Sequence, residues 1–324
     1  MTTPRKIILD TDPGVGIPGT DADDPIALLL ALADPRLDLL GVTTTFGNCP
    51  PDLGARGARA VLEAAGRPEV PVAIGRATPI ARELPQLLRA AYAGDRGKSG
   101  RIPLPEVDVA TARRADEFIV ETVRAHPGDV TIVAVGPQTN IAGALELAPD
   151  IDDQIASIVF MGGALGIEPT YGRGNVTPVA ECNIWFDPEA ASRVFAAGIP
   201  LTMVSLDVTN PVTGLVLEAE TIRGWTPNSQ AATMLADICS TYLDNPMFEW
   251  ADGCVLYDPL AVAVAADGSI GTFEEMAIGV ETTGSLTTGQ TVPIRGAAPN
   301  LRACVDVDGR RVVDDLIQTI LTNL

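Results

Sequence analysis

Strand-like and helix-like segments alternate along most of this 324-residue chain. Continuous apolar runs such as Ile7-Ile8-Leu9 predict strands buried on both faces, and longer runs such as 25–33 predict helices. The alternation predicts an α/β fold, a mostly parallel open sheet with helices on both faces. The predicted strands are 6–10, 37–46, 70–74, 130–135, 155–161 and 200–206, and the predicted helices are 25–33, 53–65, 110–125, 140–148 and 187–197.

Four segments lie outside this regular alternation. Residues 76–108 contain several prolines and predict a loop with a short helix, whereas 207–256 predicts mainly helices. Residues 270–307 predict further strands, and 311–322 predicts a closing helix. The length alone allows two domains, but no linker-like composition interrupts the pattern. The sequence therefore predicts one domain over residues 1–324.

Composition excludes several classes of function. The net charge of −20 and the pI near 4.3 disfavour binding to nucleic acid or to an anionic membrane. No apolar run has membrane-spanning length, and no signal-peptide core follows Met1. The five scattered cysteines form no C-x-x-C pair, which predicts reduced thiols in a cytoplasmic protein.

A single histidine, His126, precedes Pro127-Gly128 and is predicted to end a helix or to lie in a turn. One histidine cannot build a multi-histidine zinc site. Its position in a turn also leaves no serine–histidine triad to propose. The chemistry must therefore be carried by other side chains.

Aspartates crowd around a glycine-rich turn that follows the first predicted strand: Asp10, Asp12, Asp21, Asp23 and Asp24. Open α/β sheets bind their ligands at the carboxyl ends of strands. Carboxylates packed this densely raise one another's pKa values unless a cation shares them. The cluster therefore predicts a cation site, and a solvated acidic loop is the alternative.

The same turn matches the dinucleotide fingerprint G-x-G-x-x-G over residues 14–19, with Asp38 about twenty residues further on. A pyrophosphate here would meet several carboxylates. Each such pair at about 4 Å costs on the order of 4 kcal/mol at an effective dielectric of about 20. A helix amino terminus offers only about half a positive charge in return. We reject this interpretation unless a metal intervenes.

Polar residues in other segments fit the same pocket. The carbonyl of Val135, at a strand end, suits a hard cation, although a plain strand-to-turn transition explains the segment equally well. Asp258 before Pro259 is typical of a helix cap, and by itself this segment favours capping over metal binding. The amides and the carboxylate of Asn175, Glu181 and Asn183 suit a polyol. Asp187-Pro188 predicts the start of the next helix.

Taken in order, these segments resemble the calcium-dependent nucleoside hydrolases, the inosine–uridine-preferring nucleoside ribohydrolases. The resemblance extends from residue 6 to about residue 266, with Thr288-Gly289 continuing it. The matching motifs are Asp10-Thr-Asp12, Asp23-Asp24, Gly47-Asn48, Val135-Gly-Pro-Gln-Thr-Asn140, Met161-Gly-Gly, the segment from Asn175 to Asn183, and Asp258-Pro-Leu.

The resemblance implies a Rossmann-like nucleoside hydrolase fold and hydrolysis of ribonucleosides to ribose and free nucleobase. It implies that Asp12 binds Ca²⁺ and acts as general base toward a calcium-bound water. The other implied Ca²⁺ ligands are Asp24, the Val135 carbonyl and Asp258. The implied contacts to the ribonucleoside are Asp23, Asn48, Met161, Asn175, Glu181 and Asn183. It also implies a homodimer or homotetramer.

The chain departs from the family where the nucleobase leaves. Tyr257 stands where many members carry histidine, and residues 93–97 lack another histidine that is often found there. Tyrosine has a reference pKa near 10, against about 6.5 for histidine, and is the poorer acid at neutral pH. Tyr257 is therefore predicted either to act on the base by stacking or hydrogen bonding, or to matter little because the leaving group needs little protonation. Tyr242, Glu249 and Trp250 are further candidate base contacts.

Two other functions fit parts of the sequence. One is a non-catalytic ribose or nucleoside binder that keeps the metal site and lacks an acid. The other is a Mg²⁺-dependent phosphohydrolase with Asp10 as nucleophile and Asp12 as acid. No lysine lies in a convincing phosphate-binding context, which disfavours the phosphohydrolase.

Overall fold

The structure is a computed structural model that describes residues 3–98, 100–108 and 112–324. Its strands are β1 (Arg5–Thr11), β2 (Leu37–Thr44), β3 (Val72–Ile74), β4 (Val130–Ala134), β5 (Ile155–Met161), β6 (Leu201–Val204), β7 (Val216–Glu218), β8 (Gly253–Val255), β9 (Gly271–Met276), β10 (Ile278–Val280), β11 (Thr291–Pro293) and β12 (Leu301–Val307).

The central sheet contains eight strands in the order β3-β2-β1-β4-β5-β6-β12-β9. All neighbouring pairs are parallel except β12 and β9, which are antiparallel. The predicted α/β fold with a mostly parallel sheet is confirmed. From β1 the chain builds outward to β3, and from β4 it builds outward in the opposite direction. The sheet therefore has a topological switch point between β1 and β4, where such folds bind ligands.

The helices are α1 (Asp23–Ala33), α2 (Pro51–Ala64), α3 (Gln86–Ala93), α4 (Ala115–Ala125), α5 (Thr139–Leu147), α6 (Cys182–Phe186), α7 (Pro188–Phe195), α8 (Ala219–Arg223), α9 (Gln230–Leu243), α10 (Tyr257–Ala266) and α11 (Gly309–Asn323). They cover both faces of the sheet. Ile7 and Leu9 of β1 join a core with α1, α10 and α11, whereas Ile8 joins a core with α4, α5 and α7. Burial on both faces explains why β1 is a continuous apolar run.

Most predicted elements are present within a few residues of their expected bounds. The helix predicted over 110–125 begins only at Ala115: residues 112–114 are not helical, and 110 and 111 lie outside the described residues. The segment 207–256 does contain α8 and α9, but it also contains β7 and β8, which were not predicted. Each of these strands has three residues, too few to produce a periodic pattern.

Helix-end predictions were correct at two positions and wrong at a third. His126 is the C-cap of α4, and the Asp187 side chain caps α7 by accepting the N–H of Ala190 at 3.1 Å. Asp258 is not a cap: α10 begins at Tyr257 with Leu256 as its N-cap residue. Within the described residues, no helix is long and apolar enough to cross a membrane.

Candidate active site

A cleft of about 400 Å³ opens at the switch point, beyond the carboxyl ends of β1 and β4. It brings together all the residues that the sequence assigned to the site. Those residues are Asp12, Asp23, Asp24, Asn48, Val135, Met161, Asn175, Glu181, Asn183, Tyr257 and Asp258. Asp21 and Arg96 also line it. The cleft therefore combines a carboxylate-rich floor with polar amides, as a metal-assisted site for a polyol would require.

Three buried carboxylates form the closest acidic group in the cleft. Asp23 and Asp24 lie in the first turn of α1, and Asp258 lies in the first turn of α10. Each offers an oxygen within 4.8 Å of the others. Burial, followed by mutual repulsion, raises the pKa of Asp23 and of Asp258 well above the usual value. The two helix amino termini favour negative charge here, but only in part.

The acidic group fits a hard divalent cation. Asp23 Oδ1 is buried and accepts no hydrogen bond from another described residue, so an electron-rich atom is left without a partner. An uncompensated buried carboxylate is costly, and a cation bound among these carboxylates would remove that cost. Asp258 is available for this purpose because its side chain makes no capping hydrogen bond in α10.

Asp12 lies at the end of β1 beside this group but is not one of its three members. Its Oδ2 accepts the N–H of Asn48 at 2.5 Å, and its own N–H donates to Asp24 Oδ1 at 3.0 Å. A Cβ at Gly47 would lie 2.0 Å from Asp12 Oδ2, and one at Gly136 would lie 2.6 Å from Oδ1. Glycine at both strand ends therefore makes room for this carboxylate.

The protonation behaviour of Asp12 suits a base. Burial, followed by repulsion from Asp24, raises the pKa of Asp12 well above the usual value. A raised pKa strengthens a carboxylate as a proton acceptor near neutral pH. The Asn48 N–H on Oδ2 holds this carboxylate in place at the edge of the cleft.

Asp24 and Asn48 connect the ends of β1 and β2. Asp24 Oδ1 accepts the hydroxyl of Thr11 at 2.5 Å, and Oδ2 accepts the Asn48 amide at 2.8 Å. Asn48 in turn accepts the N–H of Asp21 at 3.3 Å through its side-chain oxygen. These bonds fix the orientation of the Asp24 carboxylate toward the cleft.

A second wall of polar groups surrounds α6. Glu181 caps α6 and accepts the N–H groups of Asn183 at 2.8 Å, Ile184 at 3.2 Å and Gly163 at 2.8 Å. The Asn183 amide donates to the carbonyls of Val135 at 3.0 Å and of Met161 at 3.2 Å. This network holds Asn183 against the ends of β4 and β5.

Asn175 belongs to the same wall. Its side-chain oxygen accepts the Cys182 N–H at 2.9 Å, which leaves the Asn175 amide N–H₂ as a donor toward the cleft. Burial raises the pKa of Glu181, although its backbone partners partly offset that effect. The wall therefore offers both donors and acceptors to a sugar.

Aromatic and aliphatic side chains also line the cleft: Leu87, Phe186, Phe248, Trp250 and Tyr257. Of the candidate base contacts outside the motifs, Trp250 is in the lining, whereas Tyr242 and Glu249 are not among the described residues of the lining. Tyr242 instead stacks behind Phe248, with ring centroids 4.0 Å apart. Phe248 and Leu87 were not predicted, because neither lies in a recognisable motif.

Asp10 does not reach the cleft. It is fully buried, and its Oδ1 accepts the Thr43 hydroxyl and the Asn140 amide. Burial raises the pKa of Asp10 to about 7. A nucleophile must contact its substrate, so this position disfavours the phosphohydrolase interpretation.

Comparison with known proteins decides the family. The model of the inosine-uridine preferring nucleoside hydrolases matches residues 7–314. The chain belongs to this family. It is therefore an N-glycosyl hydrolase that acts on ribonucleosides, as the sequence predicted.

Relatives and solved structures agree with this assignment. The pyrimidine-specific ribonucleoside hydrolases RihA of Salmonella arizonae and Citrobacter koseri are 38% and 37% identical, each over 97% of both chains. The purine-preferring ribonucleoside hydrolase from Gardnerella vaginalis is 35% identical over 98% of both chains, with a TM-score of 0.84. The plant nucleoside hydrolase PpNRh1 is 28% identical, covers 99% of this chain and all of that one, and has a TM-score of 0.83. These nucleoside hydrolases differ in the base they prefer, so similarity alone does not assign the base.

Proposed function

We propose that this nucleoside hydrolase is Ca²⁺-dependent and uses Asp12 as its general base. The observation that carries the proposal is the buried group of Asp23, Asp24 and Asp258, with oxygens within 4.8 Å of one another. The ion would be held by Asp12, Asp24, Asp258 and the Val135 carbonyl. Ca²⁺ takes about six to eight oxygen ligands, and sugar hydroxyls and water would supply the remainder. When bound, Ca²⁺ supplies a Lewis acid that lowers the pKa of water and orients the sugar diol.

The protein residues supply the remaining steps. Asp12 removes a proton from the attacking water, while the Asn48 N–H on Oδ2 keeps the carboxylate in place. Asp23 and Asn48 bind ribose hydroxyls on one side. Asn175, Glu181 and Asn183 bind them on the other, and Met161 packs against the ring.

Bond cleavage follows from the charge of the cleft. As the N-glycosidic bond lengthens, the sugar acquires oxocarbenium character, and the surrounding carboxylates stabilise that positive charge. Tyr257 lines the cleft, where it would contact the nucleobase through its ring and a neutral hydroxyl. Burial raises the pKa of Tyr257 well above 10, which is unfavourable for proton donation.

We also propose that pyrimidine ribonucleosides are the preferred substrates. The support is that the relatives at 37–38% identity over nearly their whole length carry that specificity in their names. A binder without turnover is the competing function. Bound Ca²⁺ with no release of ribose from any ribonucleoside would favour the binder.

The metal assignment is tested by Asp258→Asn. The variant loses one anionic ligand and leaves Asp12 and Asp24 in place, so Ca²⁺ affinity is expected to fall at least about tenfold and activity with it. Isothermal titration calorimetry measures the affinity. Asp38→Asn, at an exposed aspartate of β2, is the matched control and should keep both the Ca²⁺ affinity and the activity of the wild type. Unchanged Ca²⁺ affinity in Asp258→Asn would remove Asp258 from the site.

A further inference from the structure

One positively charged side chain, that of Arg96, is among the described residues that line the cleft with the carboxylates. The described residues of the lining include six carboxyl groups, those of Asp12, Asp21, Asp23, Asp24, Glu181 and Asp258, and one guanidinium, that of Arg96. Arg96 belongs to a short 3-10 helix, Asp95–Gly97, in the segment that lacks the family histidine. The steps of the proposed reaction described above do not involve the guanidinium of Arg96.

Arg96 is fixed on the Gly47-Asn48 segment by neutral acceptors. Its Nε donates to the Asn48 carbonyl at 2.6 Å, and its Nη2 donates to Asn48 Oδ1 at 2.9 Å and to the Gly47 carbonyl at 3.3 Å. Nη1 donates no hydrogen bond to another described residue. A guanidinium carries five N–H donors in a rigid fork, so this arrangement leaves the Nη1 donors and an unpaired positive charge available to a ligand.

The charge of Arg96 acts on both walls of the cleft. Burial raises the pKa of Asp21 to about 6, and Arg96 is the main influence that opposes this rise. On the α6 wall, burial and Glu181 raise the pKa of the Cys182 thiol, and Arg96 again opposes the rise. Because Arg96 lines the same cleft as both walls, its guanidinium is placed to act on a molecule bound between them.

The reaction needs a cation at the point where the base leaves. When the bond from ribose C1′ to the base nitrogen breaks, both electrons stay on the nitrogen. The surrounding carboxylates would repel the resulting anion. No histidine is among the described residues of the cleft lining to protonate it, and Tyr257 is a weak acid at neutral pH because a phenol has a reference pKa near 10.

We propose that Arg96 is a catalytic residue that stabilises the departing nucleobase as its anion. Nη1 donates a hydrogen bond to the acceptor next to the glycosidic nitrogen, which is the 2-oxygen of a pyrimidine. The water oxygen forms the new bond to C1′, Asp12 takes the water proton, and the base anion then takes a proton from solvent. The inference rests on the proposed hydrolysis and predicts a preference for bases with an acidic ring N–H, such as uracil over cytosine.

The test compares two ribosides that differ only in the leaving group. Uridine needs stabilisation of its departing base, whereas p-nitrophenyl β-D-ribofuranoside releases a phenolate that is already stable. In Arg96→Met, kcat/KM for uridine is expected to fall about 10- to 100-fold, as for a lost charged hydrogen bond. The kcat/KM of the variant for the nitrophenyl riboside is expected to stay within about threefold of the wild-type value, because hydrolysis of that substrate depends mainly on the residues that bind the sugar and activate the water.

Two further variants separate catalysis from positioning. Arg96→Gln keeps a donor for the Asn48 carbonyl but removes the charge, and it should change the ratio of the two rates as Arg96→Met does. It also serves if Arg96→Met does not fold. Tyr92→Phe removes a neutral hydroxyl that bonds to the Gly47 and Cys49 carbonyls at 3.1 and 3.2 Å. This control should alter both rates in the same proportion.

The outcomes distinguish this inference from the proposed function. Equal losses on both ribosides in Arg96→Met and Arg96→Gln would mean that Arg96 acts only by positioning Asn48, and would overturn the inference while leaving the hydrolase intact. Wild-type protein that hydrolyses neither riboside in the presence of Ca²⁺ would overturn the proposed mechanism and the inference together.

Discussion

At the scale of single residues, Asp12 is built into the site by the backbone around it. Gly47 and Gly136 leave no Cβ beside its two oxygens, and the Asn48 N–H binds one of them. The apolar first strand placed Asp12 in a cluster of aspartates at its carboxyl end, and the family resemblance then distinguished Asp12 from the other aspartates as the predicted base. The glycine contacts were not predictable, since they depend on how β2 and β4 end beside β1.

Asp12→Asn is expected to lower kcat by about 10² to 10⁴, the usual contribution of a general base. The fold should survive, because burial disfavours the charged carboxylate and the neutral amide keeps nearly the same volume. Steady-state kinetics and thermal unfolding measure the two effects. Asp38→Asn controls for the loss of one negative charge. A variant that keeps half of the wild-type kcat would exclude Asp12 as the base.

Arg96 shows where sequence reasoning failed at this scale. The segment 76–108 has no periodic pattern, and an arginine in such a loop is most simply interpreted as solvated. Its place in the cleft depends on contacts with residues almost fifty positions away, such as Arg96 to Asn48. Only the folded chain reveals that proximity.

At the scale of elements, strands and long helices were predictable and short segments were not. Long, mostly buried apolar runs form β1, β2, β4 and β5, and such runs are predictable as strands. In contrast, β7 and β8 have only three residues each and show no pattern of their own. By itself the segment Asp258-Pro259 favoured a helix cap, because Asp-Pro commonly starts a helix, whereas the family resemblance implied a metal ligand. In the structure Tyr257 is already helical, so the carboxylate points from the first turn of α10 instead of closing it.

The cap of α6 offers a test at this scale. Glu181 accepts three backbone N–H groups, and the five-residue helix α6 carries Asn183 toward the cleft. Glu181→Ala leaves those N–H groups without their partner and is expected to lower the free energy of unfolding by about 1–3 kcal/mol. Urea denaturation measures it. Glu181→Gln, which keeps one acceptor oxygen, should lose less, and Glu220→Ala at an exposed position should lose almost nothing.

Equal stability of Glu181→Ala and wild type would show that the α6 wall does not depend on this cap. Activity provides a second measurement, because a displaced Asn183 should raise KM for the ribonucleoside.

At the scale of the whole molecule, the strand order places the site. At the switch point between β1 and β4 the connections that follow the two neighbouring strands diverge to opposite sides, and the acidic residues follow β1 there. Assembly into a homodimer or homotetramer, a single domain over 1–324 and a cytoplasmic location stay predictions. Assembly and location depend on partner chains and on the cell, which a single chain does not contain.

The acidic cleft makes stability depend on pH and metal together. The folded-state pKa values of Asp12, Asp23 and Asp258 lie well above 3.8, so the metal-free folded protein holds protons that the unfolded chain has released. The metal-free protein therefore loses stability as pH rises, whereas Ca²⁺ binds the deprotonated carboxylates and restores it.

The increase in melting temperature caused by Ca²⁺ should therefore be larger at about pH 8 than at about pH 5. At a free concentration of about one hundred times Kd, the stabilisation should reach about 2.7 kcal/mol. Differential scanning calorimetry with Ca²⁺ and with chelator measures it. An effect that is independent of pH would argue against ion binding at raised-pKa carboxylates.

The most direct test of the account is release of reducing sugar from a panel of purine and pyrimidine ribonucleosides, with Ca²⁺ and again with chelator. For a Ca²⁺-dependent hydrolase we expect release that the chelator abolishes and added Ca²⁺ restores, with uridine among the best substrates. Release that persists in full after the metal is removed would contradict the calcium-dependent mechanism.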